Sequence, residues 1–172
     1  MELERLLRER KERGQAVFAV VAIVGSTEEG SVDPVDEILQ IRARLEKEGM
    51  TFVVHIDAAW GGYFACLIPR DLRNAPGASP GDDFVPSLGL KASVKRQIEK
   101  YSEADSITVD PHKTGYIPYQ AGGLCYKDGR MRFLVTWSTS YITRGPGSET
   151  IGIYGLEGRY VYPIHYVRRS IG

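Results

Sequence analysis

The chain is short of nearly everything that marks a specialised class. Two cysteines, Cys66 and Cys125, stand far apart in 172 residues, so neither a disulfide framework nor zinc-type spacing is present and a reducing cytoplasm is the expected setting. Charge of one sign is also missing. Lysine and arginine number 22 against 22 aspartates and glutamates, which gives no basic footprint for a nucleic acid. No apolar run approaches the roughly 20 residues that span a bilayer, and Met1-Glu2-Leu3-Glu4-Arg5 has no apolar core of a secretory signal. Gly25-Ser26-Thr27 lacks the glycine-lysine ending of a phosphate-cradling P-loop. Internal repeats and low-complexity tracts are absent as well. What remains is a chain of single-domain size whose 42% hydrophobic content can supply a core.

Periodicity orders that core. Met1 to Arg13 is charged with Leu3, Leu6 and Leu7 on one side, which predicts a helix stopped by Gly14. Val17 to Val24 is nearly continuous in apolar residues and short, the pattern of a strand buried in a parallel sheet. After a loop from Gly25 to Ser31, Asp33 and Pro34 read as N-cap and first helical position. Val35, Ile38, Ile41 and Leu45 then keep helical spacing up to Gly49. Thr51 to Ile56 is the next strand, completing a βαβ unit. Pro69, Pro76, Pro80 and Pro86 predict a surface excursion. A helix is expected from about Lys91 to Tyr101, strands at Ser106–Val109 and Gly122–Tyr126, and a turn at Lys127-Asp128-Gly129.

Two strand ends carry chemistry. His55-Ile56-Asp57-Ala58-Ala59 closes one strand on a carboxylate, and Ser106-Ile107-Thr108-Val109-Asp110-Pro111-His112-Lys113 sets a lysine just past another. An amine that can hold an aldehyde as a Schiff base, with a carboxylate that can keep a pyridine nitrogen protonated, is the pair that pyridoxal phosphate chemistry requires. Thr27, Asp57 and Lys113 each follow a predicted strand at its carboxyl end, where open α/β sheets bind ligands. His55 and Asp57 alternate on one strand face and could offer two metal ligands; without a third candidate nearby, a buried histidine is the expectation.

The segments HIDAAWGGY and ADSITVDPHK, in that order, resemble the signatures of the group II pyridoxal-phosphate-dependent amino-acid decarboxylases, and YIPYQAGGL most resembles the bacterial tyrosine decarboxylase branch. The likeness runs from about Gly14 to Arg159. It implies an α/β fold, the aspartate-aminotransferase-like large domain with three αβα layers and a mostly parallel sheet, working as a homodimer with pyridoxal 5'-phosphate on a small amino-acid substrate. By this resemblance Lys113 forms the Schiff base, Asp57 faces the pyridine nitrogen, Ala59 packs on one ring face, and Thr27 lies near the ring hydroxyl. Asp110 and His112 match positions near the phosphate. Tyr141, in the segment Trp137 to Tyr141, matches a loop tyrosine that protonates the substrate carbon across the dimer interface. Asp110 stands where the animal enzymes have asparagine, and a carboxylate there repels a dianionic phosphate unless protonated or turned away.

The family's upstream ring-stacking histidine and phosphate loop have no counterpart in this sequence, nor has its small carboxy-terminal domain. Tyr160 to Gly172 no longer follows the pattern. Residues 1–172 are therefore expected to be a piece of the cofactor-binding large domain, inactive alone. The alternatives are a non-catalytic chain that self-associates, or another lyase of the same fold such as a relative of sphingosine-phosphate lyase.

Overall fold

The computed structural model describes residues 1–68, 89–118 and 121–131. In chain order these form helix α1 (Glu2–Glu12), strand β1 (Ala19–Ile23), helix α2 (Val35–Lys47), strand β2 (Val53–Asp57), a 3-10 segment (Gly62–Leu67) and helix α3 (Ala92–Ile98). A short 3-10 turn (Tyr101–Glu103), strand β3 (Ser106–Val109), strand β4 (Gly123–Tyr126) and a last 3-10 turn (Gly129–Met131) follow. The sheet order is β1-β2-β3-β4. β1, β2 and β3 run parallel, and β4 is antiparallel to β3.

Each parallel connection carries a helix, because parallel neighbours need a crossover. α2 buries Val35, Ile38, Leu39, Ile41 and Leu45, one stripe at helical spacing. That stripe meets Ala22, Val54 and Ile56 of the sheet, with Ala58 just past β2, in one cluster, which Leu7 of α1 joins. Arg44 of α2 donates to Glu4 at 2.8 Å, and Arg8 of α1 donates to Glu48 at 2.7 Å. These exposed pairs set the orientation of α1 more than they stabilise it. Gly49, at φ +81°, ends α2 in the left-handed conformation that a side chain disfavours, and the Met50 N–H turns back to the Leu45 carbonyl at 2.9 Å.

Alternation along the strands puts Val21, Ile23, Val53, His55 and Asp57 on the opposite face. There Val21, Ile23, Val53 and Leu124 are exposed apolar side chains among the described residues. Of the expected three layers, the described residues thus supply the sheet and the helices over one face.

Asp33 departs from its expected role as N-cap. Pro34 occupies that position, α2 begins at Val35, and no side chain caps the helix. The Asp33 carboxylate instead accepts the Ile23 N–H at 2.8 Å, while its own N–H donates to the Ile23 carbonyl at 2.8 Å. β1 is an edge strand among the described residues, so its outer backbone groups compete successfully for that carboxylate. The segment Gly62–Leu67, unassigned in the sequence, is a 3-10 helix. The proline-rich excursion lies within residues 69–88, outside the described residues.

Tyr101 packs against the core, and its hydroxyl has no hydrogen-bond partner among the described residues. Burial pushes this phenol well above its ordinary value. The unfolded chain therefore loses the proton first, at about pH 10, and folding stability falls as pH rises beyond that point. Tyr101→Phe is expected to remove this alkaline loss while leaving stability near neutrality equal or higher, because no hydrogen bond among the described residues is sacrificed. Urea unfolding of both chains at about pH 8 and about pH 11 checks it, and an equal alkaline drop in the variant refutes it.

Candidate active site

The loops leaving the carboxyl ends of β1, β2 and β3 meet at one edge of the sheet. Asp57 is the last residue of β2, in register with Ile23 and Thr108. Its Oδ1 accepts the Ala59 N–H at 3.2 Å, a turn that holds the carboxylate at the strand end. The Ala59 carbonyl then accepts the Asp110 N–H at 3.1 Å. The Trp60 carbonyl accepts Thr114 Oγ1 at 2.7 Å. The loop after β2, which Asp57 leads into, is thus laced to the loop after β3, which carries Lys113.

Glycine makes the lacing possible. A Cβ on Gly61 would sit 2.3 Å from the Val24 carbonyl oxygen, and one on Gly62 would sit 2.7 Å from the Val109 methyls. The Trp60-Gly61-Gly62 turn is drawn down between β1 and β3, and side chains there would force the loops apart. Sequence reasoning did not single out Gly61, Gly62 or Thr114. A glycine pair directly after an apolar strand is the signal that could have flagged the first two, since it marks close backbone approach.

Lys113 lies in the turn that follows β3. Its Nζ is 2.9 Å from Asp110 Oδ2, with the lysine side chain 32% exposed and the aspartate 16%. The Lys113 N–H also donates to the Asp110 carbonyl at 3.1 Å. His112 Nε2 is 3.9 Å from the same Asp110 oxygen. His112 Nδ1 sits against both the carbonyl and the N–H of Ala121, so one of the two is its partner according to tautomer. Three residues after Lys113, Tyr116 adopts φ 56° and is 94% exposed. A left-handed tyrosine is uncommon, and such strain gathers at functional loops.

The expected site residues separate accordingly. Asp57, Ala59, Asp110, His112 and Lys113 share the laced pair of loops. Thr27 stands exposed in the loop after β1, whose Gly25 abuts Gly61, a Cβ on Gly25 falling 2.9 Å from the Gly61 nitrogen. Tyr141 lies outside the described residues. His55 bonds Ser106 Oγ through Nδ1 at 2.8 Å and Thr108 Oγ1 through Nε2 at 3.1 Å, so its ring clasps β3 beside Asp57. Burial pushes the Tyr63 phenol and the Cys125 thiol up, which disfavours an ionised nucleophile at either.

The family profile described as "Pyridoxal-dependent decarboxylase conserved domain" matches residues 1–141. The chain is 38% identical to an L-tyrosine decarboxylase of Enterococcus faecium over 91% of its own length and 27% of that protein's. It is 31% identical to an aspartate 1-decarboxylase of Aliivibrio fischeri, over 91% of this chain and 23% of that one. The chain thus spans about a quarter of the length of these curated relatives. Among solved structures, the glutamate decarboxylase domain of a Vibrio parahaemolyticus protein matches with a TM-score of 0.51 at 27% identity, over 78% of this chain and 23% of that one. An Oryza sativa structure described as "TDC with PLP and tryptamine" shares the fold, with a TM-score of 0.54 at 22% identity over 83% of this chain and 24% of its own.

Proposed function

Because this chain belongs to the pyridoxal-dependent decarboxylase family, we propose that it is the lysine-bearing part of an enzyme that releases carbon dioxide from an L-amino acid, aromatic or acidic, with pyridoxal 5'-phosphate as cofactor. The observation that carries this reading is the lacing of the Asp57 and Lys113 loops at the carboxyl ends of adjacent parallel strands. Tyrosine and aspartate are the amino acids named for the relatives.

The residues fit the group. Lys113 supplies an amine at the sheet edge. Asp57 keeps Oδ2 without a protein partner among the described residues, while Oδ1 is tied to the Ala59 N–H. Ala59, two positions on, offers only a methyl group. When bound, the pyridoxal ring supplies an electron sink for the pair left on the substrate carbon as carbon dioxide departs. Lys113 binds the aldehyde carbon through Nζ. Asp57 Oδ2 holds the proton on the ring nitrogen, and the small Ala59 leaves room for the ring. Thr27 orients the ring hydroxyl from the loop after β1. His112 orients the phosphate side. Tyr141 delivers a proton to the substrate carbon from the neighbouring subunit of a homodimer. A cytoplasmic setting accords with this reading.

A second reading has its own observation: Val21, Ile23, Val53 and Leu124 expose apolar surface on one sheet face, and the relatives extend far beyond this chain. Alone, the 172-residue chain is expected to run as an oligomer or aggregate, because such faces self-associate. It is also expected to release no measurable carbon dioxide from tyrosine, glutamate, DOPA or aspartate, whereas a protein of the relatives' length carrying this segment does so. Size-exclusion chromatography with light scattering, run beside a carbon dioxide assay on both, checks this. Turnover by a monomer of the short chain would sink the expectation, and inactivity of the long protein on every amino acid would sink the proposed function.

A further inference from the structure

Asp110 is the residue whose role the family resemblance leaves in conflict with its charge, and the geometry points to a different one. We propose that Asp110 is a positioning residue for Lys113: its carboxylate pairs with Nζ and holds the side chain in position until an aldehyde replaces it, and it does not ligate the cofactor's phosphate. This rests on the reading of Lys113 given above.

Several observations converge. Nζ and Oδ2 are 2.9 Å apart, and the carboxylate is the less exposed partner at 16%. The backbone turn from Asp110 to Lys113 brings the two side chains together, through the Lys113 N–H on the Asp110 carbonyl at 3.1 Å. Asp110 is itself anchored, because its N–H donates to the Ala59 carbonyl at 3.1 Å. The loop bearing Asp57 therefore places the carboxylate that in turn places the amine. On the far side, a Cβ on Gly122 would lie 3.3 Å from Oδ1, so the chain entering β4 passes close and restricts the carboxylate's freedom to swing. Beside an ammonium such a carboxylate is stabilised; beside a dianionic phosphate it is repelled. Other titratable groups on the described elements around this turn include His112, Tyr116, Asp57, Tyr63, Cys66 and Cys125.

The chemistry balances simply. The ammonium releases one proton to solvent, its lone pair forms a carbon–nitrogen bond with the aldehyde carbon, and one water leaves as the imine closes. The 2.9 Å contact with Asp110 Oδ2 must part before Nζ can reach an electrophile, so removing the carboxylate's charge makes Lys113 more reactive.

The test uses the cofactor-free chain. Brief acetylation with limiting acetic anhydride, read by peptide mass spectrometry, gives the rate at Lys113 relative to exposed Lys91. Asp110→Asn keeps the shape and removes the charge, and is expected to raise that ratio several-fold. Asp110→Glu is expected to stay near the parent, and Asp110→Ser gives the direction of the Asn variant should the latter not fold. Labelling with pyridoxal and with pyridoxal phosphate, each trapped by borohydride, should accelerate alike in the Asn variant. An unchanged acetylation ratio overturns the proposal, as does acceleration restricted to the phosphate-bearing aldehyde, which would put Asp110 at the phosphate. A shifted ratio in this chain, with no pyridoxyl group ever fixed on Lys113 in a protein of the relatives' length that carries this segment, would instead leave the pairing intact and sink the proposed function.

Discussion

Lys113→Ala, made in a protein of the relatives' length that carries this segment, is expected to abolish the pyridoxyl group that borohydride fixes to the chain, and to lower turnover by more than roughly a thousandfold. The expectation follows from where the lysines stand. Lys95 and Lys100 pair with Glu99 and Glu103 at 3.8 and 2.6 Å along their own helical segments, and Lys11 donates to the Glu48 carbonyl at 2.7 Å. These are surface contacts remote from the carboxyl ends of the strands. Lys113 alone among the four sits in the turn after β3, 2.9 Å from the Asp110 carboxylate. Lys113→Arg separates charge from nucleophile: it can keep the pairing with Asp110, but a guanidinium does not form the imine, so it too should carry no label. Peptide mapping of the reduced protein decides the matter. An adduct on another lysine, with Lys113 unmodified, overturns the assignment.

Much of this arrangement is legible in the sequence, and the reasons differ by element. β3 was expected at Ser106–Val109 and stands at those residues, because a short β-branched run between Asp105 and Asp110 leaves little choice of bounds. α2 is legible for its unbroken stripe from Val35 to Leu45. β1 is shorter than its apolar run at both ends: Val17 and Phe18 precede it, and Val24, whose N–H donates to the Asp57 carbonyl at 2.8 Å, makes an isolated bridge with Val32 beyond it. Asp33 was misread because a carboxylate near a helix start has two possible clients, and only the packed edge of β1 shows which one it serves. The pairing of Asp110 with Lys113 was out of reach for the same kind of reason: spacing brings the residues into one turn, but the anchor that aims the carboxylate is the Ala59 carbonyl in the loop after β2. Long-range hydrogen bonds of this sort leave no periodic trace.

Asp57→Ala in the same long protein is expected to lower kcat by about a hundred- to a thousandfold, the usual cost of removing one preorganised electrostatic group, while cofactor affinity falls by about tenfold or less. The split follows from the geometry. Asp57 closes β2 with one oxygen held by the Ala59 N–H at 3.2 Å, so its other oxygen would meet the ring nitrogen of a bound cofactor already oriented. Such a contact would gain most as electron density flows into the ring, and an interaction strongest in the transition state appears in kcat. Asp57→Asn sharpens the point, since an amide can keep the bond to the Ala59 N–H but carries no charge with which to hold a proton on the ring nitrogen. It should lose nearly as much turnover as the alanine variant while retaining more stability and more cofactor. Steady-state kinetics, cofactor titration and urea unfolding on both variants separate the alternatives. Near-normal turnover with weakened cofactor binding would mean that Asp57 serves the fold, and a loss of turnover matched by an equal loss of stability would point the same way.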